Sequence, residues 1–306
     1  MRKSLGKRIV RDFKKNKYLL IMMLPVLTYY AIFNYAPMYG ALIAFKNYAP
    51  RLGMSGSPWV GFRNFEKFLT NYSFWNVFRN TITISFGSII FGFPAPIILA
   101  LLLNEVRHSY YKRTVQTITY MPHFISIMVI CGMLVDFCSS NGVITQIVSF
   151  ISGTESRNLL TRPELFKTIY ISSGIWQEVG FSSIIYLSAL SRIDAELYEA
   201  SGIDGASRWQ QMVHITLPGL MSTIIILFIL RIGRLMGVGY EKILLLYNPS
   251  TYETADVIST FVYRRGLLNM EYGFGSAVGL FNSVINMTML ITFNKISRKV
   301  ADQGLW

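Results

Sequence analysis

Residues 81 to 103, 114 to 135 and 272 to 293 contain no Asp, Glu, Lys or Arg. An apolar run of about 20 residues wound as a helix matches the roughly 30 Å hydrocarbon core of a bilayer. Three further stretches approach that standard: 168 to 190 holds one charge, Glu178, and 219 to 240 holds two, Arg231 and Arg234. The remaining run starts near Tyr18, and its far end is blurred by Pro37 and a tyrosine-rich segment, as expected where a helix meets an aromatic interface. The chain is therefore expected to be an all-α membrane protein with about six transmembrane helices. Its 306 residues are 52% hydrophobic, 14% aromatic and 15% charged, with a mean hydropathy of +0.39, outside the usual range of soluble domains.

A net charge of +13 invites a nucleic-acid reading, but residues 1 to 17 carry eight Lys/Arg and one Asp and so supply +7 of it. Beside an apolar run, such a cluster is a cytoplasmic anchor under the positive-inside rule. No small-residue cleavage site followed by a polar region appears, so the first run is expected to be retained as a span. The 105 to 113 loop, with Arg107, Lys112 and Arg113, and the C-terminal end, with Lys295, Arg298 and Lys299, are also basic. The division is then a cytoplasmic tail 1–17, a transmembrane domain 18–294 and a cytoplasmic tail 295–306, in a cell membrane. Three loops, 46–74, 139–164 and 241–271, lie outside and are long enough for a lid or docking surface. Cys131 and Cys138 suit small core positions, and His108, His123 and His214 are scattered without a second ligand at metal spacing. No resident cofactor or metal is expected.

Residues 191 to 218 lie inside by parity yet carry two Arg against Asp194, Glu196, Glu199 and Asp204. An acidic inside loop opposes the charge bias and calls for a reason, of which docking onto another protein is one. Ser191 or Asp194 can cap a short helix through Glu199 or Ala200. Gly202 and Gly205 allow a bend, and Asp204 can cap a second helix bearing Trp209, Met212 and Val213. Pro218 then interrupts regular helix. At 28 residues the connection is long for a simple link between packed helices.

This stretch resembles the cytoplasmic EAA loop of bacterial ABC importer permeases. Glu199, Ala200 and Ser201 occupy the E-A-A positions, Gly205 follows after three residues, and Ile215, Leu217 and Pro218 match the I-x-L-P end. Ser201 departs from the second Ala. Asp204, Gly205 and Ala206 resemble the D-G-A of the carbohydrate-uptake branch; residues 59–65 and 255–258 match in their order along the chain. The resemblance implies a type I importer fold, with the loop seated in a separate ATPase subunit, Glu199 engaging it and Gly205 permitting close approach. It further implies a second permease, two ATP-binding subunits, an extracellular solute-binding protein and an oligosaccharide substrate. ATP and Mg would reside on the ATPase partners, since this sequence has no G-x-x-x-x-G-K-[ST] phosphate loop.

Charges at bilayer depth cost roughly 2.5 to 3.5 kcal/mol each and should face a partner or a wet cavity. Glu178 can pair with Arg231 or Arg234 within the bundle. Alternatively these side chains, with Asp136, Trp176 and Gln177, border a substrate path. A secondary transporter or channel for a polar solute is the alternative function, disfavoured by the lack of self-similarity between the two halves of the chain. A membrane enzyme is disfavoured by the lack of a nucleophile elbow, metal cluster or spaced carboxylate pair.

Overall fold

The computed structural model describes residues 15–153, 155–301 and 303–305. Among them there is no β-strand, only an isolated bridge between Lys46 and Trp59. Besides short turns at Ala36–Met38 and Gly53–Gly56, the helices are α1 (Lys17–Tyr30), α2 (Arg63–Leu69), α3 (Phe74–Gly92), α4 (Pro94–Glu105), α5 (Ser109–Tyr120), α6 (Ile127–Cys138), α7 (Val143–Ser152) and α8 (Pro163–Leu190). They continue as α9 (Ala195–Ile203), α10 (Arg208–Gln211), α11 (Leu217–Ile232), α12 (Tyr240–Leu246), α13 (Tyr252–Ala255), α14 (Ile258–Val262) and α15 (Tyr272–Ala301).

Four helical runs are long and apolar enough to cross a membrane: Lys17–Phe45, Phe74–Glu105, Arg208–Ile232 and Tyr272–Lys299. A fifth exists if α5 and α6 count together, but they meet at a bend of 100°. The expected continuous helix over 114 to 135 is therefore corrected to a broken pair. Pro122 lies in the 3₁₀ turn Met121–Phe124, and Ser126 opens a new helix by accepting a hydrogen bond from the Val129 amide at 3.4 Å. The sixth expected span is α8, 28 residues long but interrupted by Ser, Gln177 and Glu178, which keep it below the apolarity of a lipid-facing helix.

The expected span 219 to 240 is shifted toward the N-terminus. Its helix starts at Arg208 and ends at Ile232, where Gly233 packs against the Leu290 side chain. Beyond it the chain is irregular, held by the Met236 amide on Asn286 Oδ1 at 2.9 Å and by the Ser85 hydroxyl on the Leu235 carbonyl. Arg231 thus lies in the last turn of α11, where a cation complements the helix dipole, and Arg234 lies past its end. They do not share a helix face midway along a span.

The core sits around α8, which packs on α3, α4, α5, α11 and α13. Residues 241–271, expected as an outer loop, pack into the body: Ile243, Leu246, Ala255, Val257, Ile258 and Phe261 are buried in its two larger apolar clusters. Asp256 locks this region by a two-pronged pair with Arg264, at 2.9 and 2.6 Å, and accepts a further bond from Thr260 at 2.6 Å. By contrast, residues 17–38 bury no side chain.

Candidate functional site

A cavity of about 370 Å³ opens among α3, α4, α8, α11 and α12. Successive turns of α8 bring Tyr170, Gly174, Gln177, Glu178 and Ser182 to its wall, because positions three and four apart share a helix face. Ser88, Gly92 and Pro96 close the opposite side, Arg231 enters from the end of α11 and Lys242 from α12. A neighbouring cavity of about 330 Å³ shares Ser88, Tyr170 and Arg231 with it and adds Arg234. Gln177, Glu178 and Arg231 are therefore brought together, and Arg234 lies in the adjoining space. Trp176 and Asp136 are on neither wall. Asp136 sits in α6, where its backbone carbonyl accepts from the Ser139 hydroxyl at 2.8 Å.

Glu178 does not pair with Arg231 or Arg234. Its Oε2 lies 3.1 Å from Nδ1 of His123, and the His123 ring stacks flat on Phe181 with centroids 3.9 Å apart. The bend after α5 makes this possible by turning His123 back onto α8. That approach requires Gly180, where a Cβ would run into the Thr119 carbonyl and lie 2.9 Å from the Tyr120 amide nitrogen. Lys242, only 7% exposed, donates from Nζ to the Tyr170 carbonyl at 3.1 Å and lies 4.9 Å from that ring's centroid.

Sequence reasoning missed His123 and Lys242 as members of this group. Lys242 was counted in an outer loop, although a lysine leading directly into Ile243-Leu244-Leu245-Leu246 signals burial. His123 follows Pro122, a residue at which a helix can break, and here the break redirects its side chain.

The acidic loop joins α8 to α11. Asp194 caps α9 by accepting from the Glu196 amide at 3.0 Å. At the other end Gly205 is left-handed, with φ +78°, the Ala206 amide reaches the Ser201 carbonyl at 2.9 Å and the Gly205 amide reaches the Gly202 carbonyl at 3.2 Å. This is the Schellman ending that favours glycine. Asp204 terminates α9 and does not cap α10; Ser207 does, in a reciprocal capping box with Gln210. A π turn, Met212–Thr216, precedes Pro218, so the helix passes the proline with a change of register.

The two arms of the loop are tied together. Gln211 Nε2 donates to the Ser201 hydroxyl at 2.9 Å, and the Tyr198 and Thr216 hydroxyls are 3.0 Å apart. Ser201, the departure from alanine, thus gains a bond that alanine could not make. Glu199 and Ala200 are exposed, Ala206 and Ile215 are half-buried with Leu217, and Ile203 and Trp209 remain 87% and 69% exposed.

Residues 92–302 match the family described as binding-protein-dependent transport system inner membrane component. Protein LplB of Bacillus subtilis (strain 168) is 42% identical over 96% of this chain and 92% of its own length. The polygalacturonan/rhamnogalacturonan transport system permease protein YteP, from the same organism, is 39% identical over 100% of this chain and 95% of its own. Among solved structures, a chain of a bacterial alginate ABC transporter in complex with an alginate pentasaccharide-bound periplasmic protein superposes with a TM-score of 0.89. It is 44% identical over 97% of this chain and all of that one. The chain is a membrane protein that belongs to the binding-protein-dependent transport system inner membrane component family.

Proposed function

We propose that the chain is one transmembrane half of an ATP-driven importer that passes an oligosaccharide, delivered by an extracellular solute-binding protein, across a bacterial cell membrane with both termini cytoplasmic. The observation that carries this reading is that one pair of helices serves both ends. α8 and α11 wall the polar cavity, and the same two helices are joined by the acidic loop. Glu178 stands 12 residues before the end of α8 and Arg231 13 residues after Pro218, so both lie about 18 to 20 Å from the loop at 1.5 Å per residue. Displacement of the tied loop moves both walls together.

The loop's partner in this reading is an ATPase subunit, one of two, holding ATP and Mg; its exposed Glu199, Ile203 and Trp209 supply a carboxylate and an apolar surface for docking. The exposed Lys17–Met38 segment is apolar on every side and suits lipid and a second permease. The relatives named for polygalacturonan and rhamnogalacturonan transport and for alginate import support an oligosaccharide substrate. The chain itself performs no catalysis.

Reconstitution of the permease with its second permease, ATPase subunits and binding protein in vesicles tests the assignment. Uptake should require ATP and the binding protein, and should persist when proton and sodium gradients are collapsed. Uptake driven by either gradient without ATP would establish the secondary-transport alternative.

A further inference from the structure

The cations of the two linked cavities lack carboxylate partners. The side chains of Arg231 and Arg234 make no hydrogen bond or ion pair with any described residue, and Lys242 has only the Tyr170 carbonyl for its three donors. Glu178 is the one carboxylate on the walls of the two cavities, and its Oε2 is already engaged by His123. A wall with three cations and one occupied carboxylate is rich in donors and poor in acceptors. Neutral sugar hydroxyls both donate and accept, and they gain less from unpaired cations than an anion does. An ionised carboxylate only accepts, and it forms the stronger, charge-assisted bonds with Arg and Lys. Gly174 lies beside this group: a Cβ there would make an ordinary 3.6 Å contact with the Lys242 ammonium. Tyr170 is common to both cavities and presents a ring beside these cations.

We propose that Arg231 and Lys242, with Arg234 in the adjoining space, read the carboxylates of a uronic-acid oligosaccharide as it passes, so that the substrate class is acidic and not neutral. This rests on the importer reading and narrows its substrate. Carboxylates of the moving substrate supply the counter-charge that the bundle does not.

The test uses the full reconstituted complex with its binding protein and three probes: trigalacturonate, its fully methyl-esterified form and maltotriose. For each probe the ratio of variant to wild-type uptake cancels the binding protein's own preference. Arg231→Gln and Lys242→Gln are each expected to lower trigalacturonate uptake at least about tenfold, the worth of one charge-assisted bond. Uptake of any transported neutral probe should change less than about twofold, and Arg231→Lys should recover part of the loss. Equal losses on charged and neutral probes, or no loss, would overturn the proposal while leaving the importer reading intact. Import of a neutral probe but not of trigalacturonate by the wild-type complex would also overturn the proposal, while the importer reading is judged separately by whether uptake requires ATP and the binding protein. If the Gln variants do not assemble, binding of trigalacturonate to the wild-type complex without binding protein decides the matter. It should be measurable at low salt and weaken steeply as salt rises; absence of binding at low salt refutes the reading.

Discussion

Gly180→Ala should damage this protein more than any other single-methyl addition to a glycine of α8 or the acidic loop, and its size can be worked from the structure. The added Cβ would lie 2.9 Å from the Tyr120 amide nitrogen, about 0.6 Å inside the ~3.5 Å optimum for such contacts, with the Thr119 carbonyl closer still. The obstacle is backbone, which cannot rotate away, so α5 and α8 must part. Overpacking of this kind costs about 1 to 3 kcal/mol, and the upper end applies where the neighbour is rigid. Removing a helical glycine returns about 0.5 to 1 kcal/mol, leaving a net loss of about 2 kcal/mol.

Two other glycines serve as internal controls. Gly202 is helical with open space around its Cβ position, so Gly202→Ala should be neutral or slightly stabilising. Gly205 also has open space but a φ of +78°, so Gly205→Ala should cost only the left-handed strain, about 1 to 2 kcal/mol. The assay is thermal stability of the assembled complex by fluorescence-detected size exclusion, with the three variants compared side by side. Gly180→Ala should be the least stable and Gly202→Ala the most. A Gly180→Ala complex as stable as Gly202→Ala would refute the backbone contact between α5 and α8, and with it the route by which His123 reaches Glu178.

Three further outcomes follow from side-chain geometry. Asp256→Asn should strand Arg264 and destabilise the fold toward the lower end of the roughly 3 to 5 kcal/mol typical of a broken buried pair, read by thermal unfolding, because Arg264 keeps part of its side chain exposed. At Glu271, burial pushes the carboxyl up, but hydrogen bonds from Lys67 and Arg265 and their charges outweigh it and hold it below the usual Glu value near 4.5. Its contribution is therefore full above pH 4.5 and lost as pH falls through the depressed value, so wild type should lose more stability than Glu271→Gln on acidification from pH 5 to pH 3. Gly205→Asn should retain uptake better than Gly205→Val, since Asn tolerates the left-handed conformation and a β-branched residue does not; equal losses would place the glycine's importance in close approach by a partner.

What could be read from sequence was whatever local pattern decides. Charge-free runs gave most of the helices, and the spacing of Glu199, Gly205 and Pro218 marked a bent loop whose glycine proves to be left-handed. What escaped depends on contacts distant along the chain. The break at Pro122 was averaged away because apolar residues continue on both sides of it. The end of α11 at Gly233 is set partly by Leu290 and Asn286, more than 50 residues away. Span parity and the basic inner segments place residues 241–271 outside, but they carry no information on how the segment packs. Asp256 and Arg264 neutralise one another, and Lys242 enters the core with one carbonyl and one ring beside its ammonium, so the segment packs into the body. Charge counting treats each ion as solvated, and pairing is visible only in three dimensions.

The ionisable groups within the bundle divide by whether the chain itself provides for them. Arg264 has Asp256, Glu271 has Lys67 and Arg265, and Glu178 has His123. Each of these joins elements far apart in sequence or closes a turn, so each contributes to holding the helices in place. Arg231 and Arg234 have no such partner, and Lys242 has no carboxylate. An unpaired cation adds nothing to packing that a Leu or Met would not supply better. It stands beside a cavity, at the end of the helix that leads directly from the acidic loop. Arg231, Arg234 and Lys242 are thus the cavity-wall cations that no carboxylate of the described residues pairs with, and that is the ground for the substrate-reading role proposed for them.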